Sequence, residues 1–451
     1  MSLTGTPFFV TAIVLAVFAV LLPLALWSRV RGPALVRGFA RLLMVGFVQV
    51  TAVTVVFVAV NNSNSLYDSW GDLLGTSDNV GQAKDLGPDG TGGKKLDQLP
   101  RMKQAFDPAG DGDLGPGVLK TTLDGKVSGI KAEVYVWLPP QYDDPAYKDK
   151  KFPVVQVLSG YPGSPKAWFG SLHANEKLAP LMKRGKVAPF ILVAPRTTLL
   201  PGADTGCANI PGKANADSWL SVDVRKMVTD TFRASDKASD WAVAGYSAGA
   251  HCAAKLAIAH PDRYAAAVSM SGYNDPAAER DSLTAKTPEL RRENNPLNML
   301  KAAAAPPRIS LLFTGKGRDG YQQGLDLRRA AKPPTRVDAR QVDGSHTTLT
   351  WKRQVESVFE WLTARIAPEF RHGGQDGGGL DGAGREGGGQ DGGRHHGGGG
   401  AWQGGPEQQQ TGSHGQGTRV PGSGTPGGQD PAGQDPAAQD RDISSLSPTR
   451  R

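Results

Sequence analysis

Cysteine is scarce in this sequence: Cys207 and Cys252 are the only two among 451 residues. Neither belongs to a CxxC pair, which excludes zinc-ribbon and thioredoxin-like sites. The sequence also lacks a cluster of metal ligands and a Gly-rich phosphate loop, so we expect no metal and no organic cofactor. An even pair of cysteines in an exported domain favours one disulfide, Cys207–Cys252.

Charged side chains are missing from two long runs, Phe8 to Trp27 and Leu42 to Val60. At 1.5 Å per residue each run spans about 30 Å, the thickness of a bilayer core. No Lys or Arg precedes the first run, unlike a cleaved signal peptide, so we predict two transmembrane helices. The loop between them carries four arginines: Arg29, Arg31, Arg37 and Arg41. The positive-inside rule therefore puts this loop in the cytoplasm and everything after Val60 outside.

A basic patch interleaved with aromatic residues is also absent, although the net charge is +8. Nucleic-acid binding is therefore not predicted, and the membrane bilayer is the expected partner of the basic loop.

Composition divides the chain into four parts. Residues 1–60 form the predicted two-helix membrane anchor, and residues 61–115, rich in Gly and Asp, are predicted to be a flexible extracytoplasmic linker. Residues 116–370 have the composition of a globular domain. Residues 371–451 are almost wholly polar and Gly-rich, and we predict a disordered tail whose His395–His396 pair is solvated rather than metal-bound.

Strand-like and helix-like runs alternate between residues 116 and 370. The apolar strand-like runs are KAEVYVWLP, FPVVQVLSG, PFILVAPR, DWAVAGYS, AAAVSMSG, RISLLFTG and RVDARQVDG. The helix-like runs are SWLSVDVRKMVTDTFRA, AGAHCAAKLAIAH and TTLTWKRQVESVFEWLTARI. In the last run Leu349, Val355, Val358, Phe359 and Leu362 recur near helical spacing. The pattern predicts one doubly wound α/β domain with a mostly parallel sheet and helices on both faces.

The motif Gly245-Tyr246-Ser247-Ala248-Gly249 joins one of these strands to a helix. GxSxG alone is a weak signal, but the order strand, tight turn, helix is what a nucleophile elbow requires. Such a turn holds the serine hydroxyl clear of the sheet at a helix N-terminus. We therefore predict that Ser247 is a nucleophile.

A serine nucleophile needs a general base and an orienting acid. Of the four histidines in the domain, His251 and His260 lie on the helix after Ser247 and His173 lies in a loop, so His346 is the predicted base. Asp319 is the predicted acid because it follows a strand and lies between Ser247 and His346 in the chain. The other aspartates considered are Asp275, Asp326, Asp338 and Asp343. For the oxyanion hole we expect the N–H of Ala248 and that of Tyr161 or Gly160, in LSGYPGS.

With these residues the domain resembles the α/β-hydrolase esterase family that includes esterase D, S-formylglutathione hydrolase and the mycolyltransferase antigens. The likeness lies in LSGYPGS, GYSAGA, AIAHPDRYAAAVSMSG, FTGKGRDG and DGSHTTLTWKRQ. It implies an α/β-hydrolase fold, the triad Ser247, Asp319 and His346, and backbone donors at Tyr161 and Ala248. The membrane helices and the Gly-rich tail lie outside the resemblance.

Three functions are compatible with these patterns. The first is a membrane-anchored extracytoplasmic serine esterase that hydrolyses carboxylic esters through an acyl-enzyme. The second is an acyltransferase that moves the acyl group onto an envelope sugar or lipid with the same catalytic residues. The third is a non-catalytic envelope-binding module, which a complete set of candidate triad residues disfavours.

Overall fold

The computed structural model describes residues 3–76, 79–81, 83–87 and 89–371. The predicted tail, including His395–His396, lies outside the described residues beyond Arg371. The strands are β1 (Asp107–Pro108), β2 (Val118–Asp124), β3 (Lys131–Trp137), β4 (Val154–Leu158), β5 (Ile191–Pro195), β6 (Asn209–Ile210), β7 (Ala214–Asn215), β8 (Trp241–Tyr246), β9 (Ala266–Met270), β10 (Ser310–Gly315) and β11 (Arg336–Gln341). The helices are α1 (Thr6–Leu26), α2 (Ala34–Asn64), α3 (Trp70–Leu74), α4 (Ala167–Gly170), α5 (Ala174–Lys183), α6 (Ala216–Ser218), α7 (Val224–Thr231), α8 (Ala248–Ala259), α9 (Pro288–Glu293), α10 (Pro296–Ala302), α11 (Tyr321–Ala330) and α12 (Thr348–Ile366).

One nine-stranded sheet organises the domain, in the order β1-β2-β3-β5-β4-β8-β9-β10-β11. The strands from β5 to β11 in this order are parallel, whereas β1, β2 and β3 pair antiparallel at one edge. This is the predicted α/β-hydrolase architecture, and each of the seven strand-like runs contains a strand. Strand β2 was not predicted, because its sequence VLKTTLD is polar and only partly buried.

The sheet is covered by helices on both faces. All five residues of β4 are buried, as expected for a strand enclosed on two sides. Val154 and Leu158 pack into the core that includes Leu256 of α8, and Val155 packs into the opposite core with Phe359 of α12. The continuous apolar strand runs therefore fix the sheet at the centre of a three-layer domain.

The segment between α2 and the domain differs from the flexible linker predicted for residues 61–115. The backbone N–H of Met102 donates to the Asp230 carboxylate at 2.8 Å, and the Met102 side chain is buried. The N–H of Gln104 donates to the Thr231 hydroxyl at 3.1 Å, and β1 extends the main sheet. This segment packs on the domain, despite its polar composition, because a few apolar side chains and backbone hydrogen bonds suffice to attach it to the folded surface.

Helices α1 and α2 contain the two apolar runs, except that Trp27 directly follows the end of α1. Both are long and apolar enough to cross a membrane. Most of their large apolar side chains are exposed, for example Leu24 and Val53.

The predicted disulfide between Cys207 and Cys252 is present in the structure. It joins the loop before β6 to α8, the helix that begins directly after Ser247. We expect the double variant Cys207→Ser, Cys252→Ser to lower the free energy of unfolding by about 3–4 kcal/mol, because the bridge restricts the unfolded chain. Urea denaturation of the variant and of wild-type protein with and without reductant measures this; equal midpoints in all three would contradict it.

Candidate active site

The nucleophile elbow lies between β8 and α8. Ser247 has φ 56° and ψ −124°, a left-handed backbone conformation that costs a non-glycine residue about 1–3 kcal/mol. Its N–H donates to the carbonyl of Met270 at 3.0 Å, which ties the turn to the neighbouring strand. A Cβ at Gly245 would lie 2.1 Å from the carbonyl oxygen of Gly249, so β8 and α8 meet only because Gly245 lacks a side chain. A Cβ at Gly249 would lie 2.5 Å from the carbonyl oxygens of Leu158 and Ser159, so α8 also approaches the end of β4 closely.

The three residues predicted as a triad are brought together at the carboxyl edge of the sheet. Nε2 of His346 lies 2.9 Å from Oγ of Ser247, and Nδ1 lies 2.8 Å from Oδ1 of Asp319. Asp319 follows β10, and His346 lies between β11 and α12. The ring of His346 packs edge-on against Trp351 at 4.9 Å. The arrangement can pass a proton from the serine hydroxyl to an oriented imidazole.

The other aspartates considered have different surroundings. Asp275 forms an ion pair with Arg291, whose hydrogen bond lowers the pKa of that carboxyl. Asp326 pairs with Arg329, one turn along α11. Asp338 accepts a hydrogen bond from the indole of Trp361 at 2.7 Å. Asp343 is an exposed residue.

The remaining histidines also have partners elsewhere. His251 is buried and its ring stacks on Tyr273. Nδ1 of His251 lies at hydrogen-bond distance, 2.9 Å, from the backbone carbonyl oxygen of Tyr273, and burial lowers the pKa of His251 to about 4. His260 bonds Asp217 at 2.7 Å in the interior. His173 lies near Glu176 at the start of α5, 3.2 Å away. None of these rings is hydrogen-bonded to Ser247 in the part of the chain that the structure describes.

The loop expected to carry an oxyanion donor lies directly against the nucleophile. A Cβ at Gly160 would lie 3.1 Å from Cβ of Ser247, so the backbone of this loop approaches the serine closely. The hydroxyl of Ser159 donates to the carbonyl of Ser164 at 2.6 Å and holds the loop folded. Ala248 is the first residue of α8, where backbone N–H groups have no acceptor within the helix.

A polar cluster beside this loop, centred on the buried guanidinium of Arg196, was not predicted from the sequence. The hydroxyl of Ser164 donates to Asp68 at 2.6 Å, and the Arg196 guanidinium contacts Asp68 at 2.9 Å and Glu133 at 2.6 Å. Burial opposes the charge of Arg196, but these carboxylates raise its pKa above the ordinary value. The polar composition around Asp68 gave no sign that its carboxylate is buried against the α/β domain.

Residues 126–358 match the family model described as putative esterase, which is more than half of the chain. The chain belongs to this esterase family.

Individual relatives of this esterase are distant. An uncharacterized protein of Corynebacterium glutamicum is 25% identical over 265 residues, which cover 55% of this chain and 61% of that protein. The chain therefore spans about three fifths of the length of that curated relative. Among solved structures, a ferulic acid esterase is 21% identical with a TM-score of 0.46 and covers 55% of this chain and 97% of its own. An S-formylglutathione hydrolase from Agrobacterium tumefaciens is 15% identical with a TM-score of 0.46, covering 58% and 99%.

Proposed function

We propose that this esterase is a membrane-anchored serine hydrolase that cleaves carboxylic esters through an acyl-enzyme on Ser247, His346 and Asp319. One observation carries the proposal: the two ring nitrogens of His346 lie 2.9 Å from the serine hydroxyl and 2.8 Å from the aspartate carboxylate. That geometry supports three roles: Ser247 as the nucleophile, His346 as its general base, and Asp319 as the acid that orients the base.

Acylation starts when Oγ of Ser247 attacks the carbonyl carbon of the ester and Nε2 of His346 takes the hydroxyl proton. The carbonyl π bond opens, and its oxygen becomes an anion that accepts hydrogen bonds from the N–H groups of Ala248 and Tyr161. When the carbonyl re-forms, the bond to the alcohol oxygen breaks. His346 then gives its proton to that oxygen, and the alcohol leaves. Asp319 keeps Nδ1 protonated and stabilises the imidazolium.

Deacylation repeats these steps with water. Nε2 of His346 takes a proton from water as the water oxygen attacks the acyl carbon. The tetrahedral intermediate collapses, the bond to Oγ of Ser247 breaks, and the proton returns to Oγ. The carboxylic acid is released and the free enzyme is regenerated.

The membrane anchor of the proposal consists of residues 1–60, with the catalytic domain outside the cytoplasm. Two observations support it. Helices α1 and α2 are long and apolar enough to span a bilayer. Four arginines lie at the ends of these helices that are far from the domain: Arg29 and Arg31 in the loop, and Arg37 and Arg41 in the first turns of α2, which the sequence had placed in the loop. The catalytic domain comprises residues 116–370, and the contacts of Met102 and Asp68 attach residues 61–115 to it.

Asp319→Asn is expected to lower kcat for a p-nitrophenyl ester by about 10³–10⁴-fold, because the amide no longer holds the required tautomer of His346. Full-length protein in detergent is assayed under initial-rate conditions. Asp326→Asn is the matched control, since this aspartate lies in the next helix and pairs with Arg329; its kcat should stay within about twofold of wild type. The reverse result would assign the orienting role to Asp326.

A further inference from the structure

The end of α2 is hydrogen-bonded to the loops that form the proposed active site. The amide side chain of Asn64, the last residue of α2, accepts a hydrogen bond from the Thr348 hydroxyl at 2.7 Å, two residues beyond the proposed base. The carbonyl of Ser65 accepts from the N–H of Ser164 at 2.9 Å, and the Ser164 hydroxyl donates to Asp68. The helix therefore ends beside both the oxyanion loop and the histidine loop.

The beginning of α1 lies at the same end of the helix pair as the end of α2. The ring of Phe8, in the first turn of α1, packs edge-on against Trp70 of α3 at 5.3 Å. Because the start of α1 and the end of α2 both meet the short segment Ser65–Gly75, the domain sits at one end of the helix pair. A bilayer around α1 and α2 would end at this segment, next to the carboxyl edge of the sheet.

Exposed apolar side chains are concentrated at this junction. Among the described residues beyond α2, the exposed large hydrophobic side chains are Trp70 at 42%, Leu74 at 69% and Leu349 at 55%. Trp70 and Leu74 belong to α3, and Leu349 lies three residues after His346 in the first turn of α12. Aromatic and apolar residues that continue from membrane helices onto a domain surface are typical of a membrane interface.

A cavity of about 270 Å³ lies between this segment and the loop after β5. Leu66, Leu73, Leu199 and Leu200 contribute to its wall, and Tyr161 of the oxyanion loop also lines it. It gives partly apolar space beside the loop that carries the expected oxyanion donor.

We propose that the active site faces the bilayer and that its substrate is an amphiphilic acyl ester held in that bilayer by its acyl chain. The surface formed by Trp70, Leu74 and Leu349, which we term the rim patch, rests on the lipid. It continues the apolar surface of α1 and α2, which argues for lipid rather than a protein partner. The inference rests on the proposed serine esterase function and on its membrane anchor.

The test uses the full-length protein in vesicles of phosphatidylglycerol and phosphatidylethanolamine. A fluorogenic long-chain diacylglycerol ester is placed either in the same vesicles as the enzyme or in separate ones, and p-nitrophenyl acetate serves as the water-soluble ester. Rates are normalised to the fraction of protein that a fluorophosphonate labels. The lipid ester should be hydrolysed at least about tenfold faster in the enzyme's own bilayer.

Variants of the rim patch give a second readout. One triple variant carries Trp70→Ser, Leu74→Ser and Leu349→Ser together. Its ratio of lipid-ester turnover to p-nitrophenyl acetate turnover should be about tenfold lower than that of the wild type. Ala303→Ser is the control: it makes an exposed apolar residue polar in the loop leading to β10, at the opposite edge of the sheet, and should leave the ratio as in wild type.

The outcomes separate the two proposals. If the wild-type protein does not hydrolyse p-nitrophenyl acetate, or Ser247→Ala hydrolyses it equally well, the proposed function fails. If hydrolysis depends on Ser247 but the lipid ester reacts equally fast in either vesicle and the triple variant keeps its ratio, the membrane-facing site alone is overturned.

Discussion

Replacing His346 by asparagine should lower kcat for a p-nitrophenyl ester by about 10⁴-fold or more. The imidazole is the group that contacts both the Ser247 hydroxyl, at 2.9 Å, and the Asp319 carboxylate, at 2.8 Å. Without it the hydroxyl keeps its proton and remains a weak nucleophile. Initial rates with full-length protein, at enzyme concentrations that allow rates over a range of about 10⁵-fold to be compared, measure the loss.

The matched control is His173→Asn in the same domain. His173 interacts with Glu176 rather than with the serine, and its backbone has φ 52°, a conformation that asparagine tolerates well. This variant should retain kcat within about twofold. Equal losses in the two variants would mean that His346 has no special role as a base.

A methyl group at Gly245 should destabilise the whole domain. In Gly245→Ala the new Cβ would lie 2.1 Å from the carbonyl oxygen of Gly249 and 2.3 Å from its carbon, and backbone cannot move aside as a flexible side chain can. We expect the free energy of unfolding to fall by about 3 kcal/mol, the upper end of the usual cost of overpacking. Urea denaturation followed by tryptophan fluorescence is the measurement.

Gly112→Ala controls for the loss of a glycine as such. A Cβ at Gly112 would meet no atom within 4 Å, and this residue does not have a positive φ. Its free energy of unfolding should stay within about 0.5 kcal/mol of wild type. A Gly245→Ala protein as stable as the control would show that strand and helix are less closely packed at the elbow than the structure indicates.

The central sheet was predictable because its inner strands are buried on both faces. Runs such as FPVVQVLSG have no alternation with polar residues, and this pattern identifies a strand even without long-range information. Strand β2 could not be found in this way, since its sequence VLKTTLD is largely polar and much of it is solvent-exposed, which gives it the composition of a loop.

The candidate site was predictable in part because chain order and topology restrict it. Residues that follow parallel strands meet at one edge of the sheet, which selects His346 and leaves several aspartates. Side-chain partners distinguish these aspartates: Asp275 faces Arg291, whereas Asp319 faces His346. Such pairings depend on the tertiary structure and have no local pattern in the sequence.

The junction between helices α1 and α2 and the α/β domain was not predictable from composition. Asp68 belongs to a polar stretch, yet its carboxylate is buried because Ser164 and Arg196 supply hydrogen bonds that replace water. Leu349 fits the apolar periodicity of the last helix, yet it is 55% exposed, because α12 begins at the surface before it reaches the core. Periodicity identifies a helix face but not where that face becomes covered.

The most direct test of the proposed mechanism is labelling of the full-length protein with a fluorophosphonate, followed by peptide mass spectrometry. The full chain is required because Met102 and Asp68, which precede residue 116, pack on the catalytic domain. The mechanism predicts one label per molecule, on the peptide that contains Ser247, and no label in Ser247→Ala. A folded wild-type protein that is not labelled, or that carries its label on another residue, would contradict it.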